Sequence, residues 1–141
     1  MAKSIKIKRG VKYQLKELEV HSDNRGWLAE MLKRDEIKEE IKQIYVASIK
    51  PGKIRGNHYH LKRIEWFFVA QGKADIYLED IKTKEHICLG VSSEEPKVVT
   101  IFPGIAHAVK NTGKDASLLV SAQNNIYNFE HPDTISYKIK L

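Results

Sequence analysis

The sequence predicts an all-β chain folded as a sandwich or barrel, with a jelly roll as the expected form and one short helix. Three observations lead there. Short runs rich in Val, Ile, Tyr, Phe and Trp recur along the chain, polar and Gly/Pro turn clusters separate them, and only one stretch has helical spacing. At 141 residues, with no repeat, low-complexity tract or linker-like composition, the expectation is a single domain over residues 1–141. Taken in order, Ser4-Ile-Lys-Ile-Lys and the run Tyr13 to Val20 alternate polar and apolar residues, as half-wet strands do. Asp23-Asn24-Arg25-Gly26 marks a turn, and Trp27 to Leu32 resumes a strand. Lys33 to Lys42 carries Glu and Lys at i,i+4 spacing with Ile37 and Ile41 on one face, which predicts the short helix. Strands follow at Gln43–Ile49, Ile54–His60, Glu65–Ala70, Ala74–Glu79, His86–Leu89, Val98–Phe102, Ala106–Val109 and Ser117–Ala122. Turn chemistry at Pro51-Gly52, Gln71-Gly72, Glu94-Glu95-Pro96, Pro103-Gly104 and Asn111-Thr112-Gly113 divides them. A barrel of this kind encloses a cavity, and a cavity suits a ligand.

Composition narrows the function classes. With 42% hydrophobic and 30% charged residues the chain is globular, and no apolar run reaches the roughly 20 residues that span a bilayer. The N-terminus has no apolar signal-peptide core, so a cytoplasmic location and no membrane partner are expected. Cys88 is the only cysteine, which rules out an intrachain disulfide, and in His-Ile-Cys-Leu-Gly it reads as a small buried hydrophobe. The net charge of +6 raises nucleic acid as a partner, but Lys is interleaved with Glu rather than gathered into a stripe with stacking aromatics. A phosphate-bearing small molecule meets the same charge with two or three Arg or Lys in a pocket.

The chemistry concentrates in residues 52–72. Gly52, His58, His60, Glu65 and Gly72 fit G-x5-H-x-H-x4-E-x6-G. In an extended strand His58 and His60 project to one face while Tyr59 projects to the other. Glu65 opens the next strand and brings a carboxylate to the same interior if the two strands are neighbours. Two imidazoles and a carboxylate make a mixed N/O site suited to Zn, Fe, Mn, Ni or Cu rather than Ca or Mg. His21, His86 and His131 stand outside any such pattern and read as structural or surface residues.

Downstream, Gly104, His107 and Asn111 fit G-x2-H-x3-N. The two-part signature resembles that of the cupins, with one departure: Pro103 and Gly104 are adjacent, where the family commonly has Pro-x-Gly. The resemblance implies a small β-barrel in which His58, His60, Glu65 and His107 hold a divalent metal ion, zinc first and Fe, Mn or Ni as alternatives.

Three further stretches give a narrower resemblance. Asp23-Asn-Arg-Gly-Trp-Leu-Ala-Glu30 resembles the D-x-R-G-x-F-x-E segment of dTDP-4-dehydrorhamnose 3,5-epimerases, with Leu28 in place of Phe. Ile54-Arg-Gly-Asn-His-Tyr-His resembles their L-R-G-L-H-Y-Q. The third stretch, Asn125 to Thr134, together with Gly56-Asn-His-Tyr-His, is similar to the C-terminal cupin domain of bifunctional capsular polysaccharide enzymes. By these resemblances the ligand is a nucleotide-diphosphate sugar, Arg25 and Arg55 hold its diphosphate, Glu30 contacts the base or ribose, and Tyr127 is a proton donor. Where the epimerases have catalytic His, then Gln, then Lys, this chain has His58, His60 and Glu65, which turns an acid/base pocket into a metal cage. The capsular-type cupins keep H-x-H, bind zinc and act on a 4-keto sugar nucleotide, so the resemblance implies epimerisation beside a keto group. His58 is then the base only where it is not bound to metal.

Two other functions share these residues. A cupin dioxygenase would use the same three His and one Glu but has no need of Arg25 and Arg55. A non-catalytic sugar-nucleotide-binding module would need the pocket without Tyr127. A homodimer is expected as well, because Trp66 and Phe68 lie on the strand face opposite Glu65 and offer aromatic surface to a second sheet or a partner.

Overall fold

Thirteen strands organise the computed structural model, which describes residues 5–8 and 10–141. They are β1 (Ile5–Lys8), β2 (Val11–Glu17), β3 (Val20–Asp23), β4 (Gly26–Ala29), β5 (Gln43–Ile49), β6 (Ile54–Tyr59) and β7 (Glu65–Gln71). The rest are β8 (Lys73–Asp80), β9 (His86–Ser92), β10 (Lys97–Ile101), β11 (Ile105–Asn111), β12 (Ser117–Gln123) and β13 (Ile135–Ser136). A six-stranded sheet runs β1-β2-β10-β7-β12-β5, a five-stranded sheet runs β13-β6-β11-β8-β9, and β3-β4 form a separate hairpin. Pairing is antiparallel throughout, so strands distant in sequence, such as β2 and β10, become neighbours, as a jelly roll requires.

The interior between the sheets is closed at one end by Val11, Ile76, Leu78, Val99 and Ile101, all nearly fully buried. Strand β8 contributes alternate residues, Ala74, Ile76 and Leu78. Two smaller apolar clusters lie on the outer faces. One places Trp66, Phe68, Val98 and Ala122 of the six-stranded sheet beneath Met31, Leu32, Ile37 and Ile41. The other seats Ile139 and Tyr137 of the C-terminal segment against Ala106, Ala108 and Tyr59.

Several expectations change. No α-helix forms over 33–42: only a three-residue 3-10 turn, Arg34–Glu36, is present, and Ile37 is already extended. A ten-residue helix is marginal without tertiary support, and its start, Lys33, makes no side-chain cap hydrogen bond. The segment instead spreads its apolar residues over the sheet while Lys16 pairs with Glu36 at 2.6 Å. That same cover buries Trp66 and Phe68 to 2% and 8% exposure, so the aromatic face expected to meet a partner is used within the chain. The run 13–20 breaks after Glu17, where Leu18 donates its N–H to Pro96 O at 3.0 Å, and the strand expected over 27–32 ends at Ala29. Cys88 is exposed, because β9 turns Ile87 and Val91 to the core and Cys88 outward. Ser4, expected to open the first strand, lies outside the described residues. Among the described residues no helix is long and apolar enough to cross a membrane.

Candidate metal centre and its cavity

Local backbone devices aim each histidine. Pro51 and Gly52 form a tight turn closed by Lys53 N–H to Lys50 O at 3.0 Å, with Gly52 at a φ of 76°, and this launches β6 toward the interior. In β6 the pairing with β11 slips: His58 stands opposite His107 and Gly56 opposite Ala108, leaving Asn57 extra. Such a bulge twists a strand and re-aims the side chain beyond it. Gly56 permits it, because its φ is 102° and a Cβ there would meet His107 O at 2.7 Å. His60 falls one residue past the strand and is fixed from three sides. Its carbonyl accepts Gly104 N–H at 2.8 Å, so the Pro103-Gly104 turn of the second motif holds the first. Its Nδ1 lies 2.7 Å from Asp133 O. The loop that follows it is pinned because the Asp133 carboxylate accepts the N–H groups of Leu61, Lys62 and Arg63 at 2.8–2.9 Å. Glu65 starts β7 and pairs in register with Gln123.

The result brings His58, His60, Glu65 and His107 together, with one ligand-type atom from each lying within 4.8 Å of the others. Three are buried and His58 is half-buried. Asn111, the last residue of the second pattern, stands apart as a turn-former: its Nδ2 donates to Ile49 O and Asp115 O at 2.7 and 2.8 Å, and its Oδ1 accepts Gly113 N–H.

The donor set fits a cation. His60 and His107 each direct Nδ1 at a backbone carbonyl, Asp133 O and Ile105 O, an arrangement that places the proton on Nδ1 and the lone pair on Nε2. Both Nε2 atoms then face the same carboxylate oxygen, Glu65 Oε1, at 2.6 and 3.2 Å. Lone pairs facing a carboxylate repel unless a proton or a cation lies among them. His107 Nε2 is buried and, despite the short distance, too poorly aligned to have a hydrogen-bond partner among the described residues. Three nitrogens and one carboxylate oxygen match the ligand types of Zn and its first-row neighbours.

Electrostatics agree. Burial raises the Glu65 carboxyl, but the adjoining His107 and His60 outweigh it and hold the group well below the usual carboxylate range. Glu65 Oε2 points away from the cage, accepting Ser121 Oγ–H at 2.8 Å, while Gln123 Nε2 donates to Ser121 Oγ at 2.6 Å. Burial and the neighbouring His107 and His60 push His58 down to about 4, which keeps its imidazole neutral at pH 7.

A cavity of about 260 Å³ opens onto the cage, with Tyr45, Ala47, Phe67 and Leu119 on one wall and Arg55, Gly56, His58, His107 and Val109 on the other. Arg55 is exposed at its edge, its Nε donating to Ser48 O at 2.9 Å. Other residues singled out by resemblance lie elsewhere in this chain. Arg25 sits in the exposed β3–β4 turn and pairs with Asp23. Glu30 is exposed beside Lys33 at 3.8 Å. Tyr127 is 42% exposed, its ring edge against Phe129 and its N–H donated to Gln43 Oε1. Residues the motifs did not indicate surround the cage: Tyr45, Ser121, Gln123 and Asp133. Tyr45, Ser121 and Phe67 share one cross-strand row, and Gln43, Gln123 and Glu65 share the next. Period-two placement in β5 and β12 is the only sequence signal for Tyr45, Ser121 and Gln123, and it reads only once those strands are known to flank β7.

Residues 21–135 match the model of the polysaccharide biosynthesis C-terminal domain. The chain is 30% identical over 123 residues to a UDP-2-acetamido-2,6-beta-L-arabino-hexul-4-ose reductase of Pseudomonas aeruginosa, covering 87% of this chain but only 32% of the reductase. It is 30% identical over 128 residues to the probable low-salt glycan biosynthesis epimerase Agl13 of Haloferax volcanii, covering 85% and 82%. Among solved structures, the capsular polysaccharide assembling protein CapF of Staphylococcus aureus superposes with a TM-score of 0.69 at 30% identity, over 86% of this chain and 34% of CapF. The dTDP-6-deoxy-D-glucose-3,5-epimerase of Legionella pneumophila, solved with dTDP-4-keto-L-rhamnose, superposes with a TM-score of 0.80 over 95% of this chain and 77% of its own. At 18% identity the last likeness establishes the fold, a cupin jelly roll.

Proposed function

The chain belongs to the polysaccharide biosynthesis C-terminal domain family, and from that membership we propose that it epimerises a nucleotide-linked 4-keto-6-deoxy sugar for cell-surface polysaccharide. The observation that carries this reading is a His/Glu cage opening onto a cavity whose edge presents the Arg55 guanidinium. The names of its relatives, a sugar-nucleotide reductase and a glycan epimerase, support the substrate class.

In this proposal His58, His60, Glu65 and His107 hold one divalent ion, zinc by preference. When bound, such an ion polarises a carbonyl oxygen and stabilises the charge that develops as the neighbouring proton leaves. Arg55 grips the diphosphate bidentately at the cavity mouth, as guanidinium groups do. A cavity of about 260 Å³ takes in the sugar ring and leaves the nucleoside outside. Phe67, Val109 and Leu119 offer an apolar wall to the C6 methyl and exclude water around the reacting carbon. His58, neutral at pH 7, accepts that proton in any form of the enzyme where it is not bound to metal.

Arg25, Glu30 and Tyr127 enter the same proposal through a second copy of the chain. Trp27, Leu28, Ile44 and Val46 are 45%, 59%, 63% and 63% exposed, more apolar surface than a lone chain keeps without use, and they support a homodimer in which the β3–β4 hairpin serves the neighbouring cavity. Light scattering tests this: a mass of 16.2 kDa across a wide concentration range rules it out.

The experiment for the reaction is solvent deuterium uptake at C3 or C5 of dTDP- and UDP-linked 4-keto-6-deoxy sugars, followed by NMR with metal-loaded and metal-stripped protein. Uptake that depends on metal supports the cage. Uptake that survives stripping assigns the base to His58. Tight binding without uptake across the panel leaves a binding module, and O₂ consumption on another substrate moves the chain to the dioxygenases.

A further inference from the structure

We infer that Tyr45 is the side chain that recognises the sugar, donating its hydroxyl to a sugar oxygen inside the cavity. The inference rests on the reading of the ligand as a nucleotide sugar, but not on whether the protein turns it over. Tyr45 comes from β5, on the wall opposite Arg55 and His58 and beside the cage, so a ring entering between the sheets passes along it. Among the described residues that line the cavity it carries the only hydroxyl.

The geometry also leaves that hydroxyl free to move. Its carboxylate acceptor, Glu65 Oε2, is 3.5 Å away, at the limit of a hydrogen bond, and the Ser121 hydroxyl is its other polar neighbour. The same oxygen is already occupied by Ser121 Oγ at 2.8 Å and approached by Gln123 Nε2 at 3.4 Å. A donor placed third in line for one acceptor loses little when it turns toward another. Arg55 is committed through Nε to Ser48 O, and His107 through Nδ1 to Ile105 O. Of the polar groups facing the cavity, the Tyr45 hydroxyl is therefore the uncharged donor whose bond can be exchanged for one to the ligand. Ala47, its neighbour two residues along β5, is small enough to leave room for the ring beside it. The other phenol singled out by the sequence, Tyr127, is absent from the cavity wall and turned toward Phe129.

The test compares wild type, Tyr45→Phe and Tyr127→Phe. Affinities are measured for UDP and dTDP alone and for their 4-keto-6-deoxyhexose conjugates, with metal content and deuterium uptake recorded on the same samples. Tyr45→Phe should leave nucleoside diphosphate affinity and metal content unchanged and weaken the sugar conjugates by about tenfold, the scale of one neutral hydrogen bond. Tyr127→Phe should leave both affinities within about twofold. Equal loss for nucleotide and conjugate, or no loss for either, overturns the assignment. If wild type binds the conjugates without deuterium uptake and Tyr45→Phe still weakens only the conjugates, the epimerase reading falls and Tyr45 stands. If wild type exchanges deuterium and Tyr45→Phe binds and exchanges as wild type does, Tyr45 falls and the epimerase reading stands.

Discussion

The cage and the β3–β4 hairpin carry similar kinds of residue in opposite surroundings. In the cage, Glu65, His60 and His107 are 1–3% exposed, and each is oriented by groups fixed elsewhere in the fold. In the hairpin, Asp23 and Arg25 are exposed and hold only each other. Both carboxylates are lowered, Glu65 by its adjoining histidines against a burial cost and Asp23 by hydrogen bonds from Arg25. Only the first shift reflects an environment that water cannot screen. The contrast teaches that a local ion pair does not make a site: the cage is preorganised by the chain around it, whereas the hairpin needs something from outside to give its charges work.

Removing a cage residue should have the largest effect. His60→Ala takes away one imidazole and should reduce metal from about one equivalent per chain to near zero, while the β signal in circular dichroism persists. Elemental analysis on dialysed protein decides it, and full metal retention would break the contrast. Next comes the backbone that aims His58. Gly56→Ala puts a Cβ 2.7 Å from His107 O at a φ of 102°, and thermal unfolding should show a loss of about 2–4 kcal/mol. The equivalent change in the hairpin turn, Gly26→Ala, meets no atom within 4 Å and should cost less, its φ of 135° being the only obstacle.

Acid sharpens the comparison further. In the metal-free protein the folded state binds protons at His58 and Glu65 more weakly than the unfolded chain does. Stability should be full above about pH 6.5, decline as His58 of the unfolded chain protonates on the way to pH 4, and fall further below about 4.5 as its Glu65 does. Denaturant titrations across that range measure the slope, and His58→Gln should flatten its upper part. The smallest effect on stability belongs to the hairpin: Arg25→Ala should leave the unfolding midpoint essentially unchanged, because water screens the exposed pair. If a second copy uses that hairpin, the same substitution should weaken binding of dTDP or UDP by roughly 1.5–3 kcal/mol. Calorimetry of folding and of binding on one sample separates the two.

The same division explains what could be read in the sequence. The strands from β5 to β12 follow from alternation and turn chemistry, and Gln43–Ile49 is matched at both ends. The four cage residues are legible because their offsets within two short motifs are local properties. The 33–42 segment misled because helical spacing of Ile37 and Ile41 also serves an irregular stretch laid across a sheet. Tyr45, Ser121 and Gln123 escaped because their meeting with Glu65 depends on β5, β12 and β7 lying side by side, and nothing local in the chain specifies that order. Asp133 escaped for the same reason: its partners lie about seventy residues away.

That distance sets a schedule for the protein's biogenesis. The carbonyl that fixes His60 comes from a residue 73 positions later, so a ribosome must make the β-barrel strands and the segment beyond them before the imidazole is oriented. The bond from Ser121 to Glu65 spans 56 residues in the same way, and chains of such topology fold in milliseconds to seconds rather than microseconds. A nascent chain displaying His58 and His60 alone carries two imidazoles that nothing yet orients. In the finished barrel the imidazole of His60 has one orientation, and the late arrival of Asp133 is what separates the two states in time.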